Sequence, residues 1–157
     1  MEIKTDSANT QKSISILYKA LITGIILFAG VSLGINKING PFLHNNKFSQ
    51  IFLGIVVILA VICLYLAHSN YNKRLRPDKQ AIMPLNEKLD NYRSTLIKYM
   101  AFLEGPAMLS IIGFLLTGYF RFIAITLIIL LNMELKRPSK ARFIRELQLN
   151  SNEQSEL

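Results

Sequence analysis

Glu104 stands inside a mostly apolar run, Leu96–Thr117, and is followed directly by Gly105 and Pro106. It lies eight residues beyond Leu96, so a helix rising 1.5 Å per residue places it about 12 Å into that run. If the run crosses a bilayer, Glu104 is near the middle. An ionised side chain there costs roughly 2.5–3.5 kcal/mol on insertion scales, so the carboxyl must face protein or water. Pro106 offers no N–H to the Phe102 carbonyl and its ring crowds that oxygen, which predicts a kink at Gly105–Pro106. Thr23 and Thr126 fall at similar depths, where their hydroxyls can answer the carboxyl. Lys19 is the nearest cation, about two turns shallower, and can reach inward or snorkel outward. Three chemistries fit this set: a hydrogen-bonded structural carboxyl, a proton- or cation-coupled transport site, and a contact with a missing partner subunit. An enzyme is not expected, because no second acid, base or nucleophile sits at matching depth.

The elements that must position Glu104 are four apolar blocks, Ile16–Ile35, Ile51–Ala67, Leu96–Thr117 and Tyr119–Leu135. Each is near the roughly 17–25 residues a helix needs to cross about 30 Å of hydrocarbon. The 157 residues are 51% hydrophobic and only 18% charged. The fold class this predicts is an all-α membrane protein, a bundle of four transmembrane helices in two hairpins. Their expected extents are about 14–36, 51–68, 85–118 and 119–136. The second hairpin turns so tightly at Gly118–Arg121 that its helices must be antiparallel neighbours.

Charge sets the expected orientation. The amino-terminal segment, the stretch from His68 into the third helix and the tail together carry 15 of the 18 lysines and arginines; Lys37, Lys47 and Arg121 are the other three. Excess basic residues stay cytoplasmic, so both termini and the middle loop are expected inside. That distribution also accounts for the net charge of +8 without nucleic acid. The polar segment 1–13, with no cleavage pattern after the first block, predicts an uncleaved signal anchor. Residues 150–157 have little apolar content and are expected to be disordered.

Other chemistries find no support. Cys63 is the one cysteine, and His44 and His68 flank opposite ends of the second block. No metal, nucleotide, redox or acyl-transfer signature occurs, and no cofactor or metal is expected.

Two further stripes are legible. Leu85, Leu89, Tyr92, Leu96 and Tyr99 recur every three or four residues, one face of a helix beginning near Pro84. That face either packs on the rim of the bundle or docks a soluble partner. After Ser139, a plausible N-cap, residues 139–149 form a short amphipathic helix with Phe143, Ile144 and Leu147 on one face. Its basic residues Lys140, Arg142 and Arg145, with Arg137 just before it, predict contact with anionic lipid head groups, each adding about 1 kcal/mol at most. Small residues mark expected helix contacts: Gly30 and Gly34, Ala20 and Gly24, and Ala101 and Gly105, each pair four apart, and then Gly113 on the third helix. They predict that the first and third helices face each other or a second copy.

At Glu104-Gly105-Pro106 and Arg137-Pro138-Ser139-Lys140 the chain resembles a group of short four-span bacterial membrane proteins of hypothetical function. The likeness covers most of Leu85–Leu149; it implies a plasma-membrane location and supplies no activity. The third helix is also locally similar to the proteolipid subunit of rotary ATPases. The chain departs from that pattern in having four blocks and no dense glycine ladder in the first, so Glu104 is not carried over as an ion site. The expected function is a non-enzymatic plasma-membrane protein, an accessory or assembly component whose partners are lipid, other membrane subunits or itself. The alternative is a small oligomeric transporter or channel coupled through Glu104.

Overall fold

The computed structural model describes residues 2–43, 46–76 and 84–147, and within them every regular element is helical. Five helices follow in order: α1 Glu2–Asn39, α2 Asn46–Arg74, α3 Leu85–Thr117, α4 Phe120–Glu134 and α5 Lys140–Leu147. Three of them, within α1, α2 and α3, are long and apolar enough to cross a membrane. At 15 residues α4 spans about 22 Å, short of the roughly 30 Å of a hydrocarbon core. The expected tail, 150–157, lies outside the described residues.

The first two helices run beyond their apolar blocks. α1 begins at Glu2, so residues 2–13 continue the helix instead of forming a separate segment. No glycine or proline precedes Gly24 to stop it. α2 adds polar turns at both ends, through Asn46 and Arg74.

α3 is the hub. It packs against α1, α2 and α4 and touches α5. Half of its most apolar window is buried, against 17% for the windows of α1 and α2. Its buried residues include Leu89, Tyr92, Leu96, Tyr99, Leu103, Ala107 and Ile111, a stripe at helical spacing. The rim stripe expected from sequence is thus the start of the core seam, with the Leu85 side chain outside the described residues. α3 runs unbroken through Pro106, which is itself buried.

α1 meets this seam with Ile14, Tyr18, Ile25 and Ser32, all buried. Steps of four and seven along a helix keep one face toward the partner. Gly24, Gly30 and Gly34 fall off that face, and a Cβ built on any of them meets nothing within 4 Å. Ala101 is exposed on α3, and Gly105 also has open space around it. The first and third helices therefore do pack together, but through large apolar side chains and not through the small residues singled out in the sequence.

One glycine does permit close approach. A Cβ at Gly113 would lie 2.6 Å from the Phe122 ring and 2.9 Å from Phe52. Phe122, Phe114 and Val56 form a second buried cluster around it. Ser110 donates to the Phe122 carbonyl at 2.6 Å, tying α4 to α3. The open carbonyls at the end of α3 are satisfied by distant groups, as buried helix ends require. Asn36 Nδ2 donates to Phe114 O at 2.9 Å and Leu115 O at 3.1 Å. The Leu43 amide donates to Leu116 O at 2.8 Å. Gly118 closes the helix in a left-handed conformation, φ 71°.

Gly113→Ala is expected to cost about 1–3 kcal/mol by overpacking the Phe122 contact. Gly24→Ala, with open space at its Cβ, is expected to be neutral or to gain up to about 1 kcal/mol from helix propensity. Thermal unfolding in detergent micelles, comparing the two variants, checks the contrast.

Candidate functional site

Glu104 and the three residues expected around its carboxyl do not assemble into one hydrogen-bonded group. Glu104 is half-buried at the edge of the α3 seam, beside buried Leu103 and Pro106. It makes no hydrogen bond or ion pair with another described residue. Thr126 is buried on α4, but its hydroxyl donates back to the Phe122 carbonyl one turn earlier at 3.3 Å. Thr23 and Lys19 are exposed on α1, because the seam uses Tyr18 and Ile25 instead. Gly105 lies exposed beside Glu104, and Pro106 is buried next to it.

The densest polar constellation is elsewhere, at the end of the bundle where α2 closes with Lys73 and Arg74 and where Lys136, Arg137 and α5 follow α4. Tyr18, Tyr71, Tyr92 and Tyr99 are all buried there. Tyr18 donates its hydroxyl to Glu134 at the end of α4, and Tyr71 donates to Glu146 on α5. Tyr99 donates to the Asn132 carbonyl at 3.3 Å. The Tyr71 and Tyr99 rings meet edge to face, centroids 5.4 Å apart, and His68 approaches Tyr99 at 6.4 Å. Such T-shaped pairs add about 0.5–1.5 kcal/mol beyond the area they bury.

This network holds the short terminal helix against the bundle. Ser139 caps α5 by accepting from the Arg142 amide at 3.3 Å. Arg142 Nε pairs with Glu146 at 3.2 Å, both side chains being mostly shielded, and its guanidinium also donates to the Leu135 carbonyl. Ile144 packs on the main core. Arg137 pairs with Glu134 at 3.3 Å in the open, where such a pair is worth about 0–1 kcal/mol. Lys136 places its ammonium 4.2 Å from the centre of the Tyr71 ring. Burial, with Arg142 and Arg145 nearby, lowers the Lys136 pKa below its ordinary value, while Glu146 opposes the shift.

Of the basic residues expected to meet lipid, Arg142 is thus engaged inside the protein, whereas Arg137 and Arg145 are exposed. The Lys140, Phe143 and Leu147 side chains lie outside the described residues. Sequence reasoning missed the tyrosine–carboxylate links because the partners are 116 and 75 positions apart. The available signal was Tyr18 and Tyr71 themselves, side chains with an apolar ring and a hydroxyl that usually finds a partner when buried.

At the opposite end a cavity of about 700 Å³ opens between Leu33, Pro41, Leu43, Phe114 and Phe120, with Asn36 on its wall. Among the described residues no group of three His, Cys, Asp or Glu side chains is placed to hold a metal ion. Comparison of the chain with protein-family models, curated proteins and solved structures found no match.

Tyr71→Phe removes one hydrogen bond from α5 and is expected to loosen it by about 0.5–1.5 kcal/mol. Amide exchange over Lys140–Leu147 should then rise roughly 2- to 10-fold. Tyr65→Phe, at a position 72% exposed, should leave that exchange unchanged.

Proposed function

We propose that the protein is a non-enzymatic integral membrane component that works within an assembly. Its four apolar blocks cross a bacterial plasma membrane, with both termini and the basic end of the bundle in the cytoplasm. The fourth crossing, α4, is short, and a short span is accommodated by local thinning of the bilayer and by flanking residues. The asymmetry of lysine and arginine supports the orientation. The outward surfaces of α1 and α2 support the membrane setting: Ile26, Leu27, Val31, Ile58, Val61 and Tyr65 are all more than half exposed, an apolar surface of the kind that meets lipid or a partner.

The observation that carries the assembly reading is the open space beside Gly30 and Gly34, one turn apart on α1. A Cβ built on either would meet nothing within 4 Å among the described residues, although small residues in a membrane helix are where backbones of neighbouring helices approach. A second copy or another subunit supplies that neighbour. Gly30→Leu and Gly34→Leu have room in the single chain and should leave its thermal unfolding within about 1 kcal/mol. In native gels after mild solubilisation they should convert the assembled species to the size of one chain. A wild-type protein that already runs as one chain, or variants that stay assembled, overturns the reading.

A second reading draws on Glu104, whose carboxyl has no partner among the described residues. In that reading an oligomer of the chain moves protons or cations through sites at Glu104. Glu104→Gln should fold normally and abolish proton- or cation-dependent flux in reconstituted vesicles; unchanged flux removes the transport reading. If Gln is tolerated and Leu destabilises the bundle, the carboxyl is a structural hydrogen-bonding group.

A further inference from the structure

A cleft of about 250 Å³ opens at the basic end between the close of α2, the α4–α5 connection and α5. Three cations from three separate segments converge on it: Arg76 just after α2, Lys136 just after α4, and Arg145 on α5. Asn72 adds an amide. The carboxylate in its wall, Glu146, is already committed, accepting from the Tyr71 hydroxyl and pairing with Arg142 at 3.2 Å. Arg142 therefore balances the charge of Glu146, and among the described lining residues the three cations are in excess.

We infer that this cleft is a binding site for a phosphate ester, with Arg76, Lys136 and Arg145 as its ligands. Two guanidinium groups offer paired N–H donors that match phosphate oxygens, and an ammonium adds a compact third charge. Lys136 is the residue that distinguishes the cleft from an ordinary solvated basic face. It is held over the Tyr71 ring at 4.2 Å and partly shielded from water, which weakens its charged form. An anion in the cleft restores what burial removes. The volume suits a phosphate head and not an acyl chain. A phospholipid head group and a soluble phosphate monoester share this chemistry. The lipid source rests on the membrane orientation proposed above, and the soluble source does not.

The chain has six tyrosines and no tryptophan, so tyrosine emission, with Tyr71 in the cleft wall, reports occupancy without a label. The full chain in neutral detergent is titrated at constant ionic strength with inorganic phosphate, and separately with short-chain phosphatidylglycerol or a short-chain diacylglycerol that lacks phosphate. A saturable response to phosphate or to phosphatidylglycerol, and none to diacylglycerol, is the expected result. Tighter binding of phosphatidylglycerol than of phosphate identifies a lipid head group, and the reverse identifies a soluble ester. Arg76→Gln and Arg145→Gln should each weaken binding about tenfold, the loss of one charge-assisted contact. Arg93→Gln, an exposed α3 position outside the cleft, should change it by less than about twofold. No saturable response, or equal losses for Arg93→Gln and Arg76→Gln, overturns the site. Native-gel size, which reads the assembly proposal, is independent of every one of these outcomes.

Discussion

The arrangement depends on one helix being covered on several sides at once. α3 presents a buried face wide enough to take α1, α2 and α4, and those three share little contact with one another beyond α2 with α4. In the membrane setting proposed above, lipid would offer little hydrophobic gain for bringing helices together, and such a hub would be held by shape and by hydrogen bonds. The shape is set at Gly113, where the absence of a Cβ lets Phe122 and Phe52 close on the α3 backbone. The hydrogen bonds lie at the two ends, and they solve different problems. At the turn end, Asn36 and the Leu43 amide answer the carbonyls of Phe114, Leu115 and Leu116, which no residue of α3 can reach. At the basic end, tyrosine hydroxyls answer carboxylates on segments that would otherwise hang free.

The basic end shows why tyrosine suits this position. Its ring fills the core as a large apolar group, while its hydroxyl remains available to a polar partner at the margin. Tyr18 and Tyr71 each link a long helix to the final part of the chain, through Glu134 and Glu146. Pairing those carboxylates with tyrosine hydroxyls and with Arg137 and Arg142 offsets their charge and leaves Arg76 and Arg145 exposed. The surface is thus strongly basic where it opens to solvent or head groups, although two acids sit within it.

The sequence made some of this legible and hid the rest for identifiable reasons. The four apolar blocks and the stripe from Leu89 to Tyr99 follow the helical period, so their helices and the buried face of α3 could be read directly. The cap at Ser139 was equally local. The helix seam of α1 was not: Gly24, Gly30 and Gly34 attract attention as a small-residue motif, but the contact runs through Ile14, Tyr18, Ile25 and Ser32. A motif of small residues states that close approach is possible, not which neighbour makes it. The tyrosine–carboxylate links join positions far apart in the chain, and no periodicity reports such pairings. The fourth helix lies within two residues of its expected ends, Tyr119 and Leu135 serving as its caps.

Glu104 differs from Glu134 and Glu146 in a way that bears on its role. The chain supplies tyrosine partners to the two carboxylates near solvent, where leaving them unpaired costs least. Among the described residues it supplies none to the one deep in an apolar helix, where in a bilayer the cost would be greatest. The hydroxyls available at that depth are turned elsewhere: Thr126 to its own helix and Thr23 to the outside of α1. A carboxyl kept only to brace the bundle would need an internal donor, as the tyrosines show the chain can provide. Its half-buried position beside exposed Gly105 instead leaves room for a group from outside the single chain. A neighbouring helix and a coupled ion, the two proposals above, both answer that description.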